Sequence, residues 1–109
     1  MKDETINWVD IGRLDDIPVQ GSRRIAMGQT NIAVFRTSKD KVFAIEDKCP
    51  HAGGPLSEGI VHGNCVTCPL HNWVISLEDG KAMGADEGRV AQYKVKHQGE
   101  RLMLAEGYV

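Results

Sequence analysis

Cys49-Pro50-His51-Ala52-Gly53-Gly54-Pro55-Leu56-Ser57-Glu58-Gly59 and Cys68-Pro69-Leu70-His71-Asn72-Trp73 decide how this sequence is read. Each segment opens on a cysteine followed closely by a histidine, and sixteen residues separate His51 from Cys68. Two thiolates and two imidazoles in the order Cys, His, Cys, His fit a metal site better than a catalytic triad or a disulfide framework. Three cysteines would leave one over in any disulfide scheme. The acidic start Met1-Lys2-Asp3-Glu4-Thr5 is unlike a signal peptide, so the expected compartment is the reducing cytoplasm.

Outward from these loops the chain consists of short runs rich in Val, Ile, Thr and aromatic residues. Glycine punctuates them, at 12 of 109 residues against an average of about 7%. Before the first loop, Trp8-Val9-Asp10-Ile11, Arg24-Ile25-Ala26-Met27, Asn31-Ile32-Ala33-Val34-Phe35-Arg36 and Lys41-Val42-Phe43-Ala44-Ile45 have strand length and composition. Gly28-Gln29-Thr30 and Ser38-Lys39-Asp40 supply turns.

Between the loops, Ile60-Val61-His62 and Cys65-Val66-Thr67 flank Gly63-Asn64, a hairpin that would set the geometry from one loop to the other. Trp73-Val74-Ile75-Ser76, Arg89-Val90-Ala91, Tyr93-Lys94-Val95-Lys96 and Arg101-Leu102-Met103-Leu104 continue the pattern, the last two joined through Gln98-Gly99-Glu100. Helical periodicity is lacking. Only Gly12 to Val19 has room for a helical turn, and Pro18 limits it. The pattern predicts an antiparallel all-β fold in a single domain spanning 1–109.

A chain of this length buries roughly two-thirds of the surface its unfolded form exposes, so it does not need a metal merely to fold. Any metal is therefore read as functional. The formal charge is -2, from 13 basic and 15 acidic residues, without a long run of one sign. Nucleic acid is excluded as an expected partner, and no apolar run approaches membrane-spanning length.

Two metal readings are open for Cys49, His51, Cys68 and His71. A mononuclear structural zinc site usually opens with two cysteines two to four residues apart, whereas here Cys49 is followed by His51. The alternative is a [2Fe-2S] cluster with both cysteines on one iron and both histidines on the other. Ligand type and order favour it. Two ferric ions and two sulfides carry two net positive charges, which two thiolates cancel and neutral imidazoles leave cancelled. A neutral cluster accepts an electron more easily than the anionic four-cysteine kind, and its potential lies at roughly -150 to +300 mV. The role expected is one-electron transfer at moderate potential.

At these residues the chain resembles Rieske iron-sulfur proteins, whose two cluster loops match CPHAGGPLSEG (Cys49 to Gly59) and CPLHNW (Cys68 to Trp73). The resemblance implies a Rieske-type antiparallel β-sandwich or barrel with two cluster-binding loops at one end. It also implies that Cys49 and Cys68 ligate the inner iron, and His51 and His71 the outer iron through which electrons pass. High-potential respiratory members carry an extra cysteine in each loop and a serine near the second. This chain has Gly54, Leu70 and Trp73 there. Fewer hydrogen bonds to the sulfurs lower the potential, which places it in the lower part of the range.

GPLSEGIVHG, CPLHNW and GKAMGADEG (Gly80 to Gly88) together resemble the small-subunit family of cytoplasmic NAD(P)H-dependent nitrite reductase. The resemblance implies a large-subunit partner carrying FAD, an iron-sulfur cluster and sirohaem, which reduces nitrite to ammonium. This chain would hold neither the nitrite site nor a nucleotide-binding fingerprint. The alternatives are a stand-alone Rieske ferredoxin feeding an oxygenase, and a zinc-stabilised interaction domain.

Other residues have plainer readings. Cys65 reads as a small buried hydrophobe, since strand alternation turns it away from Cys68. His62, His97 and Lys48 read as surface residues. Trp73, Leu56 and Leu70 read as apolar cover for the site. Asp86-Glu87-Gly88 reads equally as a solvated turn or as a contact to a large subunit.

Overall fold

The computed structural model describes residues 7–50, 53–69, 72–83 and 88–108. Among these residues the runs singled out above form nine strands: β1 (Trp8–Arg13), β2 (Gly21–Met27), β3 (Thr30–Arg36), β4 (Val42–Glu46), β5 (Ile60–His62), β6 (Cys65–Thr67), β7 (Val74–Ser76), β8 (Gln92–Gln98) and β9 (Arg101–Tyr108). The predicted helical turn is a single 3-10 turn, Leu14–Asp16. Arg89-Val90-Ala91 is corrected: Arg89 makes only an isolated bridge to Lys81. Val90 is buried, so its apolar character reflects packing of a connecting segment, not a strand.

Six strands form one antiparallel sheet in the order β1-β9-β8-β4-β3-β2, and β5, β6 and β7 form a second sheet in sequence order. The small sheet lies wholly between β4 and β8 in the chain. It is therefore an insertion into the large sheet; the first cysteine-histidine segment leads into it, and the second joins β6 to β7 within it.

Strand β3 explains how the two sheets share a core. Its central residues Ile32, Ala33, Val34 and Phe35 are fully buried, which is why this strand is a continuous apolar run rather than an alternating one. Ile32 and Val34 face a cluster with Ile11, Ile17, Leu102 and Leu104. Ala33 and Phe35 face the other way, onto Val61, Val66 and Ile75 of the small sheet. Because successive side chains alternate, one strand supports both cores.

Gly59, at the end of the first loop, lies hard against the small sheet. A Cβ there would lie 2.3 Å from the Thr67 carbonyl oxygen and 2.9 Å from Val66 Cγ2. Only glycine fits that approach.

Candidate metal centre

Cys49 and Cys68 each begin a loop closed by the same pair of backbone hydrogen bonds. In the first loop the Cys49 N–H donates to the Gly54 carbonyl (2.8 Å), and the Gly53 N–H donates back to the Cys49 carbonyl (2.8 Å). In the second, the Cys68 N–H donates to the Trp73 carbonyl (2.7 Å), and the Asn72 N–H donates back to the Cys68 carbonyl (3.1 Å). The fourth residue after each cysteine takes left-handed backbone, Gly53 at φ 73° and Asn72 at φ 59°. Glycine adopts that region freely and asparagine tolerates it. Two loops of unlike sequence thus close with one repeated clasp.

Both cysteines point into one apolar core. Cys49 and Cys68 are 2% and 0% exposed, in a cluster with Phe35, Leu56, Val66 and Ile75, against which Trp73 packs. No disulfide forms among the described residues. The structure therefore brings together the two predicted thiolate ligands, although 19 positions separate them in sequence. The other two, His51 and His71, lie outside the described residues, as does Leu70.

A third segment meets both loops. Gly88 sits where a Cβ would be 2.9 Å from Pro50 Cβ and 3.6 Å from the Trp73 ring, and its carbonyl accepts from the Ala82 N–H (2.9 Å). Residues 84–87 of this segment, Asp86 and Glu87 included, lie outside the described residues. Beside Cys49, an open groove of about 630 Å³ is bordered by Glu46, Lys48, Pro50, Gly53 and Arg89.

A two-iron cluster suits these donors. Two buried thiols at matched clasps, both in one apolar core, are soft donors of the kind a sulfur-coordinated iron takes. The match to known proteins agrees: the family model of the Rieske-like [2Fe-2S] domain fits residues 7–105.

The chain belongs to the Rieske-like [2Fe-2S] domain family.

Among Rieske proteins, it is 40% identical over 73 residues to the anthranilate 1,2-dioxygenase ferredoxin subunit of Burkholderia cepacia, covering 67% of each chain. It is 30% identical over 101 residues to the ferredoxin component of the naphthalene 1,2-dioxygenase/salicylate 5-hydroxylase systems of a Ralstonia species, covering 92% of this chain and 96% of that one. Its Rieske fold superposes with a TM-score of 0.85 on a Mycobacterium tuberculosis chain assigned as an NADH-dependent nitrite reductase small subunit, at 21% identity, covering 95% and 98% of the two chains. At that identity the likeness concerns fold alone. The Rieske assignment makes the protein a [2Fe-2S] electron carrier and favours the two-iron reading over zinc.

Cys65 needs correcting. It is only partly buried, on the outer face of the small sheet, where its thiol contacts Met83 Sδ at 3.4 Å. Desolvation, helped by the charges of Glu78 and Asp79, pushes its pKa up. It stays a neutral thiol near pH 7, the wrong form for a ligand or nucleophile. Strand alternation did place it on the face opposite the core residue Val66. His62 is exposed, its ring 2.7 Å from Thr67 Oγ1, and His97 and Lys48 are exposed as expected. Leu56 is completely buried, as cover for the site requires.

Sequence reasoning missed Asp47. Its side chain is fully buried in an ion pair with Arg24 (2.7 Å), and two bonds from Ser57 complete its contacts. Its place beside Cys49 was visible in the sequence, but its burial depends on β2, far away in the chain.

Proposed function

We propose that Cys49 and Cys68 hold one iron of the cluster, that His51 and His71 hold the other, and that the chain is the electron-transferring small subunit of an NAD(P)H-dependent nitrite reductase. When bound, the cluster takes up and releases one electron at a time. The protein's own part is to bury the two cysteines in the shared core and to hold each loop in its clasp. Water is kept from the thiolate side by Phe35, Leu56 and Trp73. The observation that carries the ligand assignment is the repeated clasp, with a buried cysteine at the same position of each.

The nitrite reductase reading draws on the Gly80–Gly88 segment. It reaches both cluster loops through Gly88, and its sequence GKAMGADEG resembles that of the nitrite reductase small subunits. The partner would be a large subunit carrying FAD, an iron-sulfur cluster and sirohaem. A second reading, a ferredoxin serving an oxygenase, is favoured by the two dioxygenase ferredoxins to which the sequence is 30–40% identical.

Affinity purification of the tagged chain from its own cells separates the two. Copurification of a flavin- and sirohaem-containing polypeptide, with NAD(P)H-dependent nitrite reduction that depends on this chain, supports the first reading. Copurification with an oxygenase, whose turnover this chain restores, would replace it with the second.

A further inference from the structure

The first cluster loop is fastened by a carboxylate that no ligand scheme requires. Asp47 precedes Cys49 by two residues, so their Cα atoms lie within about 7 Å of each other. Its side chain is 0% exposed, and a buried charge is tolerated only when paired and hydrogen-bonded. Arg24 Nε and Ser57 Oγ both donate to Oδ2 at 2.7 Å, and the Ser57 N–H donates to Oδ1 at 2.7 Å.

These donors come from two places. Arg24 lies on β2, at the edge of the large sheet, and Ser57 lies in the 3-10 turn Leu56–Glu58 that follows the first clasp. Ser22 of β2 also donates through Oγ to the Ser57 carbonyl (2.5 Å), and the Asp47 N–H donates to the Asn31 carbonyl (2.9 Å). Asp47 therefore joins the start of the loop to its end and both to the large sheet. Stability alone explains this poorly, because taking a carboxylate out of water costs free energy that a half-exposed arginine offsets only in part.

We propose that Asp47 is a positioning residue for the first cluster loop, and that the Arg24–Asp47 pair balances the charge felt at Cys49 and so sets the reduction potential. This rests on Cys49 being a cluster ligand. Reduction adds a negative charge, which a nearby buried carboxylate opposes and a guanidinium favours. Arg24 is 48% exposed, so solvent screens its charge more than that of Asp47. The two partners should move the potential in opposite directions, with Asp47 having the larger effect.

The test is an EPR-monitored redox titration at pH 7 of purified wild-type holoprotein and of Asp47→Asn, Arg24→Gln and Ser57→Ala. Asp47→Asn should raise the midpoint, and Arg24→Gln should lower it by less. Ser57→Ala removes one hydrogen bond without changing charge, so its midpoint should match wild type while a chelator strips its iron several-fold faster. Equal midpoints in the two charge variants, or shifts of the same sign, would overturn the proposal. Should Asp47→Asn fail to fold, Arg24→Gln decides alone, since an unshifted or raised midpoint contradicts the charge balance. A wild-type protein without iron and sulfide would instead overturn the cluster reading itself, a result distinct from any of these.

Discussion

The two cluster loops share a backbone clasp and differ in what fastens it. The first is joined to the large sheet by the buried Asp47 carboxylate and its contacts to Arg24 and Ser57. The second lies inside the small sheet, between β6 and β7, and is supported by apolar packing of Trp73, Val66 and Ile75. One sheet edge therefore holds one loop through charge, and one hairpin holds the other through hydrophobic contact. This fold thus repeats the geometry of the cysteine turn while leaving its anchorage to whichever surface lies nearby.

Replacing either clasp's cysteine should have the largest effect. Cys49→Ser and Cys68→Ser should each abolish the native cluster, which iron and acid-labile sulfide analysis would show. Full retention in either variant would break the equivalence of the two loops. Leu56→Ala comes next: this side chain is fully buried where the first loop meets the shared core. Its removal should cost about 2–5 kcal/mol, measured by urea unfolding. A smaller loss would mean that the charged anchor, not the core, supports that loop.

Gly59→Ala forces a Cβ against the Thr67 carbonyl, the residue just before Cys68. The added methyl should cost about 1–3 kcal/mol and perturb both loops together. A change in the spectrum confined to one loop's ligands would show that the loops move independently.

The smallest effect lies far from the cluster. Arg101 beside Asp10, with the Gly12 N–H, holds the Asp10 carboxyl below the usual range, where an unfolded Asp titrates near pH 3.9. A lowered folded pKa means that the contribution is complete above the unfolded value and is lost as pH falls through the folded one. Asp10→Asn should therefore be slightly less stable than wild type at neutral pH, and the gap should close below about pH 4. Thermal unfolding across that range checks the sign, and a gap that widens in acid would reverse it. Because the pair ties β1 to β9, neither cluster loop should respond.

What the sequence made legible follows from how local each signal is. The hairpin β5–β6 and its turn at Gly63 and Asn64 were legible to the residue, because two short runs around a two-residue turn need no distant partner. Strands β8 and β9 run further than expected, to Gln98 and Tyr108, because pairing carries polar residues such as Glu106 along with their apolar neighbours. Arg89-Val90-Ala91 looked like a strand because Val90 is apolar, yet strand formation also needs a continuous ladder, and there is one bridge. Cys49 and Cys68 stood out through chemistry and spacing, and the fold buries both in one core. Asp47 did not stand out, since an acidic residue in sequence reads as exposed until a distant arginine and a serine are seen to enclose it.

Nitrogen couplings in the pulsed EPR spectrum of the reduced protein distinguish a histidine-ligated two-iron centre from every alternative. The expected result is a two-iron, two-sulfide centre coupled to two histidine nitrogens, one lost in His51→Cys and one in His71→Cys wherever a cluster still forms. A centre coupled to sulfur ligands alone, or zinc with no paramagnetic signal, would contradict it.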